Sequence, residues 1–285
     1  APNSLIGCID VFCDTAGQIV ALVGTTASGR GLQLPRHRRR GSQFGRGCIF
    51  AHHAPQAGQF DMNADFSERR VKMVDGQVRT TDVTDLGLLD AMLSVPREAF
   101  VDSNQRELAY IDEDLRYASA ADGAEPRYLM EPSPFAKLVQ LAEIKSSDVV
   151  LDVGCGTGYS SAVLSRLASS VIALESDAEL AARATSTLAS LGYDNVVTVT
   201  GELSEGYASE APYDVIFIGG SVEQLPDGLV SQLKEGGRLV AVEGRGNSGV
   251  ARLFLKSGGT VTARRAFNAA VKPLPGFNRT REFEF

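Results

Sequence analysis

No stretch of this 285-residue chain approaches the roughly 18 uninterrupted apolar residues that a membrane-spanning helix needs. It has no excess of positive charge either. Its 28 Lys and Arg stand against 35 Asp and Glu, a formal net charge of −7, whereas a general nucleic-acid binder carries a basic surface. Cysteine is scarce: Cys8, Cys13, Cys48 and Cys155 fall at irregular spacing. That argues against a disulfide framework and for a reducing compartment, the cytoplasm. A secretory signal is not indicated, because no basic residue precedes the first apolar part and Asp10 and Asp14 interrupt it. What is present is ordinary for a globular protein, with 44% apolar and 22% charged residues. The length allows one large α/β domain, or one domain with an appendage.

Composition breaks near Met62. All three histidines (His37, His52, His53) and three of the four cysteines precede it, but no lysine does. Residues 1–61 hold six Arg and three Asp, a net of +3, which leaves 22 basic and 32 acidic residues, a net of −10, for the rest. We read 1–61 as an atypical extension, disordered, weakly ordered or non-native, with a natural start at Met62 or Met73. Three functional readings of it are weaker. Gly24–Gly31 has the glycine spacing of a phosphate loop but places Arg30 and Gly31 where Lys and Ser/Thr are needed. Cys8, Cys13, Cys48 and His52 match no common zinc spacing, and no metal is expected. The basic run at 36–40 would suit contact with nucleic acid or an acidic partner.

From Met73 the pattern becomes regular. Leu86–Leu93 and Pro134–Ile144 read as helices, the second entered through prolines that a first turn tolerates. Strands and helices then alternate. Val149–Val153 is a strand, Gly154–Gly158 a turn, Tyr159–Ala168 a helix and Val171–Leu174 a strand ending at Glu175. A helix over Ala178–Leu191 has Asp177 as cap and Gly192 as stop. Strands at Val196–Val199, Tyr213–Ile218 and Arg238–Val242 follow, with a helix at Pro226–Leu233. Such alternation predicts βαβ units and a doubly wound, mostly parallel sheet. Gly258-Gly259 between two strand-like runs predicts a C-terminal antiparallel hairpin. We divide 62–285 into a helical segment, 62–132, and an α/β core, 133–285.

The strongest chemical signal is Asp152-Val153-Gly154-Cys155-Gly156-Thr157-Gly158, where a buried strand enters a glycine turn and then a helix. Glycines there permit positive φ and close approach of a ligand to the main chain. The dinucleotide fingerprint G-x-G-x-x-G would need a third glycine at 159, which is Tyr159. Glycines at 154, 156 and 158 after an acidic residue instead resemble the first motif of S-adenosylmethionine methyltransferases. Glu175, ending the second strand, is placed to accept ribose hydroxyls. Cys155 reads as a small residue filling a crowded turn.

A longer resemblance covers Met73 to about Phe277. Met73 to Arg79, the V-P-R-E-x-F-V segment at Val95–Val101, Ala109–Asp112, Leu191–Val196, Ala211–Asp214 and Gln232–Val240 follow the order found in protein-L-isoaspartate O-methyltransferases. That resemblance implies a Rossmann-like class I fold, S-adenosylmethionine as cofactor and damaged isoaspartyl proteins as substrates. It implies cofactor contacts at Asp152, Gly154, Cys155, Gly156, Gly158, Glu175, Ser176, Gly201, Glu202, Leu203 and Gly219. It also marks Met130, Glu131 and Pro132 as the catalytic-loop positions, and here the chain departs. The family's T-I-S-x-P segment reads Leu129-Met130-Glu131-Pro132, so the serine position is Met130. The loop after the fourth strand is altered to Gly219-Gly220-Ser221-Val222-Glu223. Two alternatives follow: a methyltransferase with another acceptor, or a non-catalytic S-adenosylmethionine-binding protein. The expected chain is a monomer or weak oligomer with no nucleic-acid or membrane partner.

Overall fold

In the computed structural model the described residues are 12–13, 19–20, 62–117 and 126–278. The chain divides into two compact units, Ala1–Ala57 and Gly58–Phe285. In the first unit the described part is an antiparallel pair, Phe12–Cys13 with Ile19–Val20. The readings made above for Gly24–Gly31, for Cys8, Cys48 and His52, and for the basic run lie outside the described residues.

The second unit is built on seven strands: β1 (Val149–Val153), β2 (Ser170–Glu175), β3 (Val196–Thr200), β4 (Tyr213–Val222), β5 (Leu233–Glu243), β6 (Val250–Ser257) and β7 (Thr260–Asn268). Their order across the sheet is β7-β6-β5-β4-β1-β2-β3. The pairs β4–β5, β4–β1, β1–β2 and β2–β3 are parallel, while β6 pairs antiparallel with both β5 and β7. The expected parallel sheet with a terminal antiparallel hairpin is therefore what the chain forms. Six α-helices accompany it: α1 (Met62–Met73), α2 (Leu86–Ser94), α3 (Pro132–Ala142), α4 (Tyr159–Ser165), α5 (Ala178–Ser190) and α6 (Asp227–Ser231).

Strands buried on both faces read as continuous apolar runs, and β1 is buried at all but its first residue. Its residues divide by parity. Val150 joins a cluster with Phe135, Tyr159 and Phe217, whereas Leu151 and Val153 join one with Ile216, Ile218 and Leu274. Asp152 thus shares a face with Val150, and α4 covers it. Helix α5 starts where the Asp177 carboxylate accepts the amides of Glu179 and Leu180.

Helix α4 ends at Ser165, short of the expected Ala168, and β5 starts at Leu233, inside the helix expected over Pro226–Leu233; three further differences have local reasons. The stretch Met73–Arg79, which by the resemblance above is an opening helix, is instead the end of α1, a π-turn at Val74–Val78 and a 3-10 turn at Arg79–Thr81. The wider winding leaves Val74 and Val78 both buried around Gly76, and Asp82, with φ +67°, stops the run. Helix α3 begins at Pro132, two residues early, because a proline at the first position forfeits no hydrogen bond. The predicted loop at Gly219–Glu223 is mostly strand. Ser221 and Val222 pair with Val242 and Glu243 of β5, and the two glycines absorb a register slip between Phe217 and Ser221.

Candidate active site

The sheet order reverses between β1 and β4, and a crevice forms there beyond the carboxyl ends of the strands. The turn Gly154–Gly158 lies at that point. The amides of Gly154 and Cys155 donate to the Leu174 carbonyl at 2.8 and 3.2 Å, tying the turn to β2. Gly154 has φ +83° and Gly156 φ +58°, a region that strains any residue with a Cβ. An added Cβ at Gly156 would lie 2.6 Å from the Tyr117 ring, and one at Gly154 would lie 2.6 Å from Leu274.

Two buried carboxylates flank the turn. Asp152 accepts from the Ser160 and Ser161 hydroxyls, both at 2.6 Å and both on Oδ2. Its other oxygen, Oδ1, is buried with no partner among the described residues. Burial raises its carboxyl to about 6, against the pull of the two serine hydroxyls. Glu175 is fully buried. It accepts the amides of Gly156 (2.8 Å), Ser176 (2.9 Å) and Asp177 (3.1 Å). Arg127, 7% exposed, adds a bidentate pair, Nη1 to Oε1 at 2.6 Å and Nη2 to Oε2 at 2.7 Å.

The other expected positions distribute unevenly. Gly201 donates its amide to the Glu175 carbonyl at 3.0 Å. Beyond it Glu202 faces solvent and Leu203 packs into the apolar core. The Ser176 hydroxyl lies 3.4 Å from Glu175 Oε1. Cys155 is buried, and desolvation first, then the charges of Asp152 and Glu175, push its thiol well above the ordinary range, so it is no thiolate nucleophile. Gly219 lies close over the turn, since a Cβ there would sit 3.0 Å from the Gly154 carbonyl.

Met130 is buried, and its carbonyl accepts from Arg97 Nη2 at 2.7 Å. Arg97 itself is fully buried. It also donates to the Ala109 carbonyl at 2.7 Å, and its guanidinium lies 4.6 Å from the centre of the Tyr159 ring. The backbone at position 130 is therefore rigid although no hydroxyl stands there. Pro132 is buried, and the Glu131 amide donates to Asp114 Oδ1 at 3.0 Å. Desolvation raises the Glu131 carboxyl, helped by the charges of Asp114 and Asp112.

Two pockets meet at these residues. One touches Gly154, Cys155, Ser160 and Phe217. The other touches Asp114, Arg127, Lys272 and Leu274. Tyr128, Met130 and Gly219 border both. The inner pocket adjoins the glycine turn and the outer one carries the charge, so a group held in each would meet across Met130 and Gly219.

Comparison with known proteins gives this arrangement its family. A model for protein-L-isoaspartate(D-aspartate) O-methyltransferase matches residues 69–275. The chain belongs to this family. A protein-L-isoaspartate O-methyltransferase of Koribacter versatilis is 36% identical over 211 residues, 74% of this chain and 92% of that relative. A second, from Pelobacter propionicus, is 41% identical over 172 residues, 60% of this chain and 74% of that relative. A solved protein-L-isoaspartate O-methyltransferase superposes with a TM-score of 0.64 at 28% identity, covering 73% of this chain and 66% of that one. A Plasmodium falciparum structure of the same description, in complex with S-adenosyl-L-homocysteine, shares the fold with a TM-score of 0.58 at 20% identity, covering 73% and 96%. Membership makes the chain an S-adenosylmethionine-dependent methyltransferase that acts on isoaspartyl proteins.

The residues at the turn fit that cofactor. The positive-φ glycines add no side chains to the turn, although Tyr117 and Leu274 pack over it, the buried Asp152 Oδ1 is an unused acceptor, and Glu175 stands at the end of β2 with its oxygens engaged by Arg127 and three amides. Sequence reasoning missed the groups that complete the site. Arg97 lies in the V-P-R-E segment and Ser160 and Ser161 follow the turn, so all three carried a signal. Arg127 lies 48 residues from Glu175, and no local pattern pairs them.

Proposed function

We propose that this chain methylates the carboxyl of isoaspartyl residues in damaged proteins, with the cofactor in the inner pocket and the acceptor in the outer one. The observation that carries this reading is the shared wall of Tyr128, Met130 and Gly219 between a neutral, largely aromatic pocket that touches the glycine turn and a charged one. In it Gly154, Cys155, Gly156 and Gly158 cradle the cofactor by main chain. Asp152 Oδ1 takes a donor, Glu175 takes the ribose hydroxyls, and Ser176, Gly201, Glu202, Leu203 and Gly219 form the rim. When bound, S-adenosylmethionine supplies a methyl activated on a sulfonium, so that the C–S bond breaks as the C–O bond forms and no proton has to move.

The chain's own work is positioning. An acceptor carboxylate is ionised at neutral pH and needs no general base, so the site must hold it in line and exclude water. Arg97 does part of this by fixing the Met130 backbone, while Leu274 and Tyr117 cover the glycine turn. Residues 62–285 are proposed as the methyltransferase unit, with 62–132 as its helical segment and 1–61 outside the chemistry. Among the described residues no helix is long and apolar enough to cross a membrane. A cytoplasmic setting, a monomer or weak oligomer and the absence of nucleic-acid or membrane partners complete the reading.

One observation favours a second reading, a different acceptor: the buried Met130 side chain stands where the family pattern has a hydroxyl. Transfer of labelled methyl from S-adenosylmethionine to an isoaspartyl peptide, with the aspartyl peptide as control, separates the two. Label on the isoaspartyl peptide alone is expected. No label, with S-adenosylhomocysteine binding intact, would move the assignment to another acceptor.

A further inference from the structure

We propose that Lys272 is the specificity-determining cation that receives the acceptor's carboxylate. This rests on the reading of the outer pocket as the acceptor's. Two cations line that pocket, Arg127 and Lys272. Arg127 spends both terminal nitrogens on Glu175 at 2.6 and 2.7 Å. Lys272 makes no comparable commitment: its nearest carboxylate oxygen, Asp114 Oδ2, is 4.0 Å away, at the outer limit of an ion pair.

Asp114 meets that ammonium only at this long distance. Its other oxygen is taken by the Glu131 amide, and burial lifts its carboxyl above the ordinary range. The lysine side chain is half-exposed and lies over the Tyr128 ring, 5.7 Å from its centre, so it borders the same wall that Met130 and Gly219 form. Its backbone is fixed. The Lys272 carbonyl accepts the Ser221 amide and the Leu274 amide donates to the Ser221 carbonyl, both at 2.9 Å, which clamps the segment to the end of β4. The ammonium thus stands on a rigid support at the mouth of the pocket. Methylation cancels the acceptor's charge, so the ester loses this partner and is released in preference to the carboxylate.

Lys272→Met and Lys272→Arg test this, because a half-exposed side chain is replaced without disturbing the core. The readouts are KM for an isoaspartyl peptide and the affinity of S-adenosylhomocysteine by calorimetry. A lost charge-assisted contact predicts that Lys272→Met raises the peptide KM by about 10- to 100-fold. Lys272→Arg should restore most of it, and S-adenosylhomocysteine should bind both variants as it binds the wild type. An unchanged peptide KM in Lys272→Met overturns the inference, as does a raised KM in Arg127→Met alone. Wild type that binds S-adenosylhomocysteine but leaves the peptide unmethylated overturns the functional reading itself, and that result is distinct because it needs no variant.

Discussion

Replacing Arg127 by methionine should tighten cofactor binding while weakening the fold. Glu175 is fully buried and Arg127 nearly so, and their bidentate pair occupies the two oxygens that we propose for the ribose hydroxyls. Removing one partner of a buried pair costs about 3–5 kcal/mol when the other is left bare. Glu175 is not left bare, since the amides of Gly156, Ser176 and Asp177 still reach it at 2.8–3.1 Å. The expected loss lies at or below the low end of that range, a fall of several degrees in melting temperature for a unit of this size. The bound state regains partners from the ribose. The wild type must first surrender a charge-assisted contact that nets about 1.5–3 kcal/mol, so the variant should bind about 10- to 100-fold more tightly. Calorimetric titration with S-adenosylhomocysteine measures this directly. Thermal melts with and without the ligand should show a larger ligand-induced rise in Arg127→Met than in the wild type. Equal or weaker binding in the variant would refute the competition and show that the guanidinium helps to hold the ligand.

Asp152 gives a pH-dependent expectation. Its folded carboxyl titrates at about 6 against an ordinary 3.8, so the fold favours the protonated form. That contribution is complete below about pH 4 and is lost as pH rises through 6. Asp152→Asn should therefore gain stability relative to wild type between pH 4 and pH 8, by at most about 3 kcal/mol. Urea denaturation at both values checks it, and an identical difference at the two would count against the assigned burial. Gly154→Val should lose S-adenosylhomocysteine binding and destabilise the fold together, because φ is +83° and the new Cβ would lie 2.6 Å from Leu274. A variant with wild-type melting temperature and affinity would contradict the placement of the turn.

The sequence by itself determined most of the elements and the glycine turn, because both are local. β1 is an apolar run, Asp177 caps α5 after β2, and the glycines that need positive φ alternate at 154, 156 and 158. Family membership was legible for the same reason, in contiguous segments such as Val95–Val101. Tertiary structure alone decided three other things. It gave Glu175 a partner, since burying a carboxylate without one is costly and the nearest guanidinium in space is remote in the chain. The predicted loop at Gly219–Gly220 became part of β4, because Ser221 and Val222 found open ladder positions on β5 that no property of their own sequence announces. Position 130 was held through its carbonyl by the buried Arg97, a contact from a residue 33 positions away that does not depend on the side chain at 130.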